Sequence, residues 1–358
     1  MDVKLPAMKS IHLVITDLFL PKDFAAGVGA DVPVLEKILA RGASTGTART
    51  DLLALPLENY LCELFGVSRQ ADVPIAPISA AFDGLDEGCW LRADPVHLRL
   101  QREQLVLLPN PEVSAEDAAQ LCASLNQHFA GQGMTFYAPH PKRWYVRLDR
   151  LPDMATVPLS QAAGRNVHGL LPKGAEMLHW HRVFNEIQML LFAHPLNEAR
   201  EIRGELPINS VWFWGGGCDD ALASVQRAYD SVHSDDVLAE MLAAAAGIPL
   251  TGWPEQWDVS LTPTLSQREF SSEGKQLLVW TGLRSALQRG DLAAWRDALQ
   301  NFETNYAQPL WQALRAGKIA QLQIDILGGD GVRRVRLTRG DAWAFWRRTK
   351  RLAEYSIV

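Results

Sequence analysis

Residues 194 to 217, HPLNEAREIRGELPINSVWFWGGG, bring His194, Asn197, Arg200 and Asn209 into one short span that closes on Gly215, Gly216 and Gly217. An arginine flanked by amides suits a phosphate or carboxylate, because the guanidinium offers two parallel N–H donors. A glycine-rich turn at a helix N-terminus is a second route to the same ligand, since backbone N–H groups and the helix dipole converge there. The turn fails on detail. WGGGCDD lacks the lysine of a P-loop, Asp220 stands where GxGxxG needs its last glycine, and Asp219 and Asp220 repel an anion. The favoured reading is a tight turn from a strand into a helix, CDDALASVQRAYDSV, whose two first-turn acids complement its dipole.

His179 and His181 form an HxH. On a helix positions i and i+2 point apart, so one ring is expected to pack and the other to meet solvent or a pocket rather than share a metal. HExxH and CxxC are absent from the sequence. The closing VRRVRLTRGDAWAFWRRTKR sets Arg333, Arg334, Arg336, Arg339, Arg347, Arg348, Lys350 and Arg351 against Asp341, with Trp343, Phe345 and Trp346 between them. Such a mixture stacks bases and tracks phosphates. With a formal net charge of -6 over the whole chain, nucleic acid is disfavoured. The arginines are expected on the outer faces of a hairpin and a helix, with the aromatics turned inward.

These groups are positioned by alternating strands and helices. SIHLVITDLF reads as a buried strand, and DVPVLEKILARG as a helix with Asp31 as N-cap, Pro33 in its first turn and Gly42 past its end. LENYLCELFGV repeats the helical spacing and stops at Gly66. SAEDAAQLCASLNQHF opens on Ser114 with Asp117 three residues later, in the manner of a capping box. MTFYAP and RWYVRL read as strands. In AEMLHWHRVFNEIQMLLFAH, Met177, Trp180, Phe184, Ile187 and Leu191 form a core-facing stripe, and His181, Asn185 and Gln188 a polar row beside it. Pro195 breaks that helix, a second one, NEAREIR, ends at Gly204, and INSVWFW is a buried strand. Leu322, Ile324 and Ile326, then Val335 and Leu337, alternate around Gly328 to Gly331, which predicts a hairpin.

A chain of 358 residues, 47% of them hydrophobic, can bury a large core and suggests two domains at about 150 residues each. Cys62, Cys89, Cys122 and Cys218 lie far apart, without zinc spacing, and are expected to be reduced, mostly buried thiols. No apolar run reaches about 18 residues and no signal-type start is seen, so the cytoplasm is the expected compartment and no membrane partner is anticipated. The loop LTGWPEQWDVSLTPTLSQ, residues 250 to 267, is the one stretch that could mark a boundary.

Two resemblances follow from the longer motifs. LHWHRVFNEIQMLLFAHPLNEAREIRGELPINSVWFWGGG, GCWLRADPVHLRLQREQLVLL and FWRRTKR resemble the bacterial regulatory protein family of the Rpf E type. More distantly, HPLNEAREIRGELPINSVWFWGGG is similar to a segment of archaeal-type cofactor-independent phosphoglycerate mutases, members of the alkaline phosphatase superfamily. His194, Asn197, Arg200, Asn209, Gly215 and Gly217 are the matching positions. ITDLF, LEKILARG, LFGV and GCWLRADPVHL follow in similar order, so Asp17 and Arg92 are comparable positions. The resemblance implies an α/β fold: an alkaline-phosphatase-like core with a mixed sheet flanked by helices, over 1–85 and 165–358, and a smaller inserted α/β region over 86–164.

The departures limit what carries over. Those enzymes use a serine nucleophile and two metal ions held by Asp and His residues. Here the nucleophile position falls near Leu57, no His follows residue 233, and Asp17 alone cannot balance two divalent ions such as manganese or zinc. The expectation is therefore a regulatory or ligand-sensing homologue with no catalytic residue and no cofactor. Arg92, His97, His194, Asn197, Arg200 and Asn209 would line a site for a small anionic metabolite, or the protein would meet a regulatory protein. The alternatives are an active, metal-dependent mutase or phosphatase with Asp17 as a ligand and Ser44, Thr45 or Thr47 as nucleophile, and an interaction protein working through the Arg/Trp-rich tail.

Overall fold

Two α/β units form because the strand-rich sequence splits into one parallel-dominated and one antiparallel sheet, each with helices against it. The computed structural model describes residues 9–20, 29–48, 56–68, 72–109, 111–258, 274–328 and 331–355. In chain order the principal elements are β1 (Lys9–Thr16), α1 (Pro33–Arg41), β2 (Ala43–Ala48), α2 (Leu57–Leu64), α3 (Ile75–Phe82), β3 (Cys89–Gln101), β4 (Gln104–Pro109), α4 (Ala115–His128), β5 (Met134–His140) and β6 (Arg143–Leu148). Then come α5 (Met177–Phe192), α6 (Pro195–Ile202), β7 (Ser210–Gly217), β8 (Ser231–Ser234), α7 (Val237–Ala245), β9 (Leu250–Gly252), β10 (Lys275–Trp280), α8 (Leu292–Phe302), α9 (Gln308–Arg315), β11 (Ile319–Gly328) and β12 (Gly331–Thr338). One unit comprises Met1–Leu57 with Arg227–Val358, the other Glu58–Gln226. The inserted region expected at 86–164 lies inside the second unit, which runs on to 226 because β7 pairs with β3.

In the first unit the sheet order is β2-β12-β11-β1-β10-β8-β9. β11, β1, β10, β8 and β9 run parallel, while β12 and β2 are antiparallel additions at one edge. Alternation sorts the faces. Ile11, Leu13 and Ile15 pack with Leu322, Ile324, Ile326, Val335 and Leu337 beneath α1, α8 and α9. The hairpin read from the sequence is the β11–β12 pair.

The cap of α1 departs from expectation. Val32, not Asp31, occupies the N-cap, without a side-chain acceptor, and Pro33 is the first helical residue. The Glu303 carboxylate accepts from the Val34 and Leu35 N–H groups instead, at 2.6 and 3.0 Å. An acid from a distant helix thus serves the orphan donors that a local cap would serve.

In the second unit the antiparallel order is β4-β3-β6-β5, with β7 on β3. Leu91, Ala93, Phe136, Val146, Val211 and Phe213 face α4 and α5. Trp90 and Tyr145 face the opposite way, against Ala76 and Ala80 of α3. The expected stripe of α5 is buried from Trp180 through Phe184 and Ile187 to Leu191, while Met177 at its start is exposed. Ser114 caps α4, its Oγ accepting from the Asp117 N–H at 3.0 Å.

Two further expectations are corrected. The helix expected over CDDALASVQRAYDSV is one turn, Asp220–Ala223. The chain passes from one unit to the other at 226/227, and the Gln226 N–H bonds to the Phe65 carbonyl at 2.7 Å, so the segment cannot stay helical. The four cysteines are not all thiols: Cys89 and Cys218 form a disulfide between the start of β3 and the residue after β7, while Cys62 and Cys122 are free and buried. Antiparallel pairing of Trp90 with Gly217 brings the two sulfurs together.

The bridge closes a loop with a sequence separation of 129. Reduction, or the Cys89→Ser/Cys218→Ser pair, should lower unfolding stability by about 4 to 5 kcal/mol on chain-entropy grounds. Urea unfolding with and without a thiol reductant checks this, and thiol titration of the denatured, unreduced protein should find the two free cysteines only.

Candidate functional site

Of the six residues read as a ligand site, the structure gathers five on one side of the antiparallel sheet and puts the sixth on the other. Arg92 alternates with Leu91 and Ala93, so it points away from α4 and α5. Its guanidinium donates to Asp94 Oδ1 from Nε at 3.1 Å and Nη2 at 2.6 Å, and lies over the rings of Tyr145 and Trp214 at 5.1 and 5.3 Å. Trp214 Nε1 donates to the other Asp94 oxygen at 2.7 Å. Both residues of this pair are buried.

The other five stitch the chain between α5 and β7. Asn197 Nδ2 donates to the Leu191 and Ile208 carbonyls at 2.7 and 2.8 Å, and its Oδ1 accepts from the Ile208 N–H at 2.8 Å. Asn209 bonds both the N–H and the carbonyl of Leu98. His97 Nδ1 meets the Pro207 carbonyl at 2.9 Å. Arg200 donates to the carbonyls of Leu206 and Glu112, and faces Asp117 at 3.3 Å and Glu205 at 3.2 Å. Both arginines read as anion donors are thus matched by carboxylates within the chain.

His194 is the N-cap of α6: its Nδ1 accepts from the Leu196 N–H at 3.2 Å. The ring proton therefore sits on Nε2, which donates to Ser124 Oγ at 2.9 Å. Ser124 in turn donates to the Gln120 carbonyl at 3.2 Å. In this tautomer the imidazole cannot take a proton from Ser124, so the pair is not a nucleophile and its base. Both residues line a groove of about 660 Å³ with Gln127, His128, Glu186 and Met189.

The glycines serve packing. A Cβ on Gly217 would collide with Pro74 and one on Gly216 would come within 2.6 Å of Leu91 Cδ2, while Gly215 has φ +70°. All three belong to β7. His179 and His181 diverge on α5 as helix geometry requires, with His181 Nε2 donating to the Pro172 carbonyl at 3.0 Å and His179 exposed.

In open α/β sheets ligands bind beyond the carboxyl ends of parallel strands. In the first unit that rim carries Asp17 after β1, Asp235 and Asp236 after β8, and Thr281 after β10. Asp17 holds a left-handed φ of 60°, a conformation that costs a non-glycine residue about 1 kcal/mol. Arg284 stands between two of the carboxylates, Nε 3.7 Å from Asp17 Oδ2 and Nη1 3.7 Å from Asp236 Oδ2. Asp235 accepts twice from the Thr281 N–H, at 2.8 and 3.0 Å. Among the described residues no group of three or more His, Cys, Asp or Glu is arranged to hold a metal ion. Ser44, Thr45 and Thr47, read as nucleophile candidates in a loop, lie on β2, paired with Val335, Arg334 and Val332 of β12.

Sequence reading missed a polar chain on the second face of the parallel sheet. His12 Nε2 donates to Asp325 Oδ2 and Nδ1 accepts from the Tyr229 hydroxyl, both at 2.7 Å. Arg334 Nε and Nη2 bond the two Asp325 oxygens at 2.8 and 2.9 Å. The one local signal is that His12 interrupts the apolar run of β1. Burial holds His12 below the ordinary imidazole range, although the Asp325 hydrogen bond and charge act the other way, and burial also lowers His194.

Asn197→Ala removes three hydrogen bonds and strands buried carbonyl and N–H groups. It should lower stability by about 3 kcal/mol, measured by denaturant unfolding. Because the folded state depresses His12 and His194, the unfolded chain binds more protons at these two positions below the ordinary value of about 6.5, so their contribution to stability should fall as pH drops from 7 toward 5, while Asp235, raised to about 6 by burial, contributes in the opposite sense. Thermal unfolding across that range checks this. His194→Asn keeps a capping acceptor and removes the titration, so it should flatten part of that dependence, at a cost at pH 7 of about 1 kcal/mol for the lost hydrogen bond to Ser124.

No family model matches the chain. A 2,3-bisphosphoglycerate-independent phosphoglycerate mutase from Methanosarcina barkeri is 24% identical over 211 residues, 56% of this chain and 52% of the relative. A probable enzyme of that name from Geobacter sulfurreducens is 32% identical over 203 residues, 53% of this chain and 50% of the relative. The matched region thus spans about half the length of these curated relatives. The solved PH0037 protein from Pyrococcus horikoshii has a similar fold at 13% identity, with a TM-score of 0.56 over 98% of this chain and 93% of that one. The chain is a mixed α/β protein and a distant homologue of the cofactor-independent phosphoglycerate mutases.

Proposed function

We propose that the protein is a non-catalytic homologue of these mutases that acts as a regulatory or ligand-sensing protein, as its likeness to the Rpf E type family implies. The observation that carries this reading is Arg284 between Asp17 and Asp236. Archaeal-type mutases gather two divalent metal ions with several carboxylates and imidazoles. Here the comparable Asp17 faces a guanidinium, and a fixed cation repels a divalent ion while offering it no lone pair. Among the described residues the donors at this rim do not fit a two-metal centre. The position comparable to a nucleophile falls near Leu57, whose side chain has no nucleophilic atom.

The ligand surface supported best is the groove beside His194 in the second unit. Its volume of about 660 Å³ lies within the range of small-molecule sites. Uncharged Gln127 and the Ser124–His194 pair provide polar contacts, and Met189 and Leu190 provide apolar wall. With Arg92 and Arg200 both matched internally, the arginine-held anion gives way to a mixed polar and apolar ligand.

Purified protein offered 3-phosphoglycerate with manganese, zinc, cobalt or magnesium should show no mutase or phosphatase turnover. Metal analysis after dialysis should find no tightly held ion. Chelator-sensitive turnover with two ions per chain would establish the enzyme instead. Arg284→Ala should leave the carboxylates facing one another and create a weak divalent site, seen as manganese binding by calorimetry that the unaltered protein lacks.

A further inference from the structure

The tail overturns one expectation in a way that points to a surface. The aromatics of residues 343 to 346 were expected to face inward from a helix, yet the segment after β12 is one 3-10 turn, Asp341–Trp343, followed by turns. Trp343, Phe345 and Trp346 are 53%, 80% and 70% exposed. Arg347, Arg348, Lys350 and Arg351 follow, all exposed. The segment is nevertheless pinned at both ends. Ala342 and Ala344 are buried, Arg41 Nη1 donates to the Ala342 carbonyl at 2.6 Å, and the Leu352 N–H donates to Glu36 Oε1 at 2.9 Å. An aromatic and cationic ridge is therefore held out to solvent by a fixed backbone.

Two polyanions suit such chemistry, and ring geometry chooses between them. Successive bases of a single strand lie parallel, so stacking needs open ring faces that are themselves parallel. Phe345 and Trp346 stand edge to face, 77° apart with centroids at 5.4 Å, and Trp343 carries Arg315 over its ring at 4.6 Å. That arrangement is poor for consecutive bases. It suits the headgroup layer of a bilayer, where indole and phenyl rings partition by area and need no common plane. Between Arg339 and Arg351 the cations Arg339, Arg347, Arg348, Lys350 and Arg351 face the single acid Asp341. Attraction to an anionic surface acts within a Debye length of about 8 Å, so this local excess outweighs the overall charge of -6.

We propose that the Trp343–Arg351 segment is a docking surface for a membrane rich in anionic lipid, with Phe345 and Trp346 seated at headgroup depth and Arg348, Lys350 and Arg351 against the phosphates. The contact is peripheral: among the described residues no helix is long and apolar enough to cross a membrane. It is independent of the groove beside His194 and of any catalytic reading.

Co-sedimentation of the full chain with phosphatidylcholine vesicles, with and without phosphatidylserine, tests this. Binding is expected with phosphatidylserine only, falling as salt rises. Phe345→Ser with Trp346→Ser should weaken it about tenfold. Arg348→Gln and Lys350→Gln should each weaken it about fivefold. All four side chains are exposed, so thermal midpoints should not change, which separates loss of docking from loss of fold. Failure to bind anionic vesicles at low salt overturns the proposal, as does binding that these substitutions leave intact. Tighter binding to a single-stranded oligonucleotide, lost in the Phe345/Trp346 variant, also overturns it and assigns the ridge to nucleic acid.

Discussion

A charge taken out of water has to be met where it is buried, and the pair formed by Arg92 and Asp94 shows how far that constraint organises this protein. The guanidinium is held by one carboxylate, two aromatic rings and, at 3.4 Å, the Ser79 hydroxyl. Those partners come from β3, β6, β7 and α3, so one ion pair ties three strands to a helix. Removing either partner would leave an uncompensated buried ion, far costlier than losing a surface pair. The same logic recurs at Arg200, whose donors meet two carbonyls and two acids, and at Asp325, which is fully buried and faces both His12 and Arg334.

This constraint also explains why the arginine and amides clustered in this stretch of sequence spend their hydrogen bonds inside the chain. His194, Asn197, Arg200 and Asn209 have the chemistry of an anion site, and sequence shows the donors without their acceptors. The acceptors are mainly backbone carbonyls of Leu98, Leu191, Leu206 and Ile208, which any sequence would supply. A residue type that binds ligands in one fold can close a loop in another. Only geometry separates the two uses.

Local features were legible. The strands β1, β5 and β6, the long helix α5 and the β11–β12 hairpin follow from periods of two and of about 3.6 residues, which depend on neighbours in the chain. What sequence did not disclose depends on partners far away. The cap of α1 comes from Glu303, 269 residues from Val34; the disulfide joins residues 129 apart; the hydrogen-bonded chain at His12 needs Tyr229 and Asp325, 217 and 313 residues away. The failed helix after Gly217 has the same origin, because tertiary partners on either side of the crossing between units override its propensity. The exposed aromatics of the tail were misread for a related reason: a pattern that fits a buried helical face does not reveal whether a core is there to receive it.

The rim around Asp17 joins these threads to function. Carboxylates gathered at the ends of parallel strands repel one another, and a fold that keeps them needs a compensating positive charge. A divalent ion can supply that charge and also open coordination positions for a reacting oxygen. A guanidinium supplies the charge alone, through N–H donors fixed in a plane and without an empty orbital. Arg284, at 3.7 Å from both Asp17 and Asp236, meets the electrostatic requirement while offering no means of activating a substrate. A homologue built this way can preserve the sheet, its strand-end loops and the left-handed turn at Asp17 without preserving phosphoryl transfer. Under the reading proposed above, stability and catalysis, which a metal centre serves together, are separable at this rim, because the arginine meets the first requirement by charge alone.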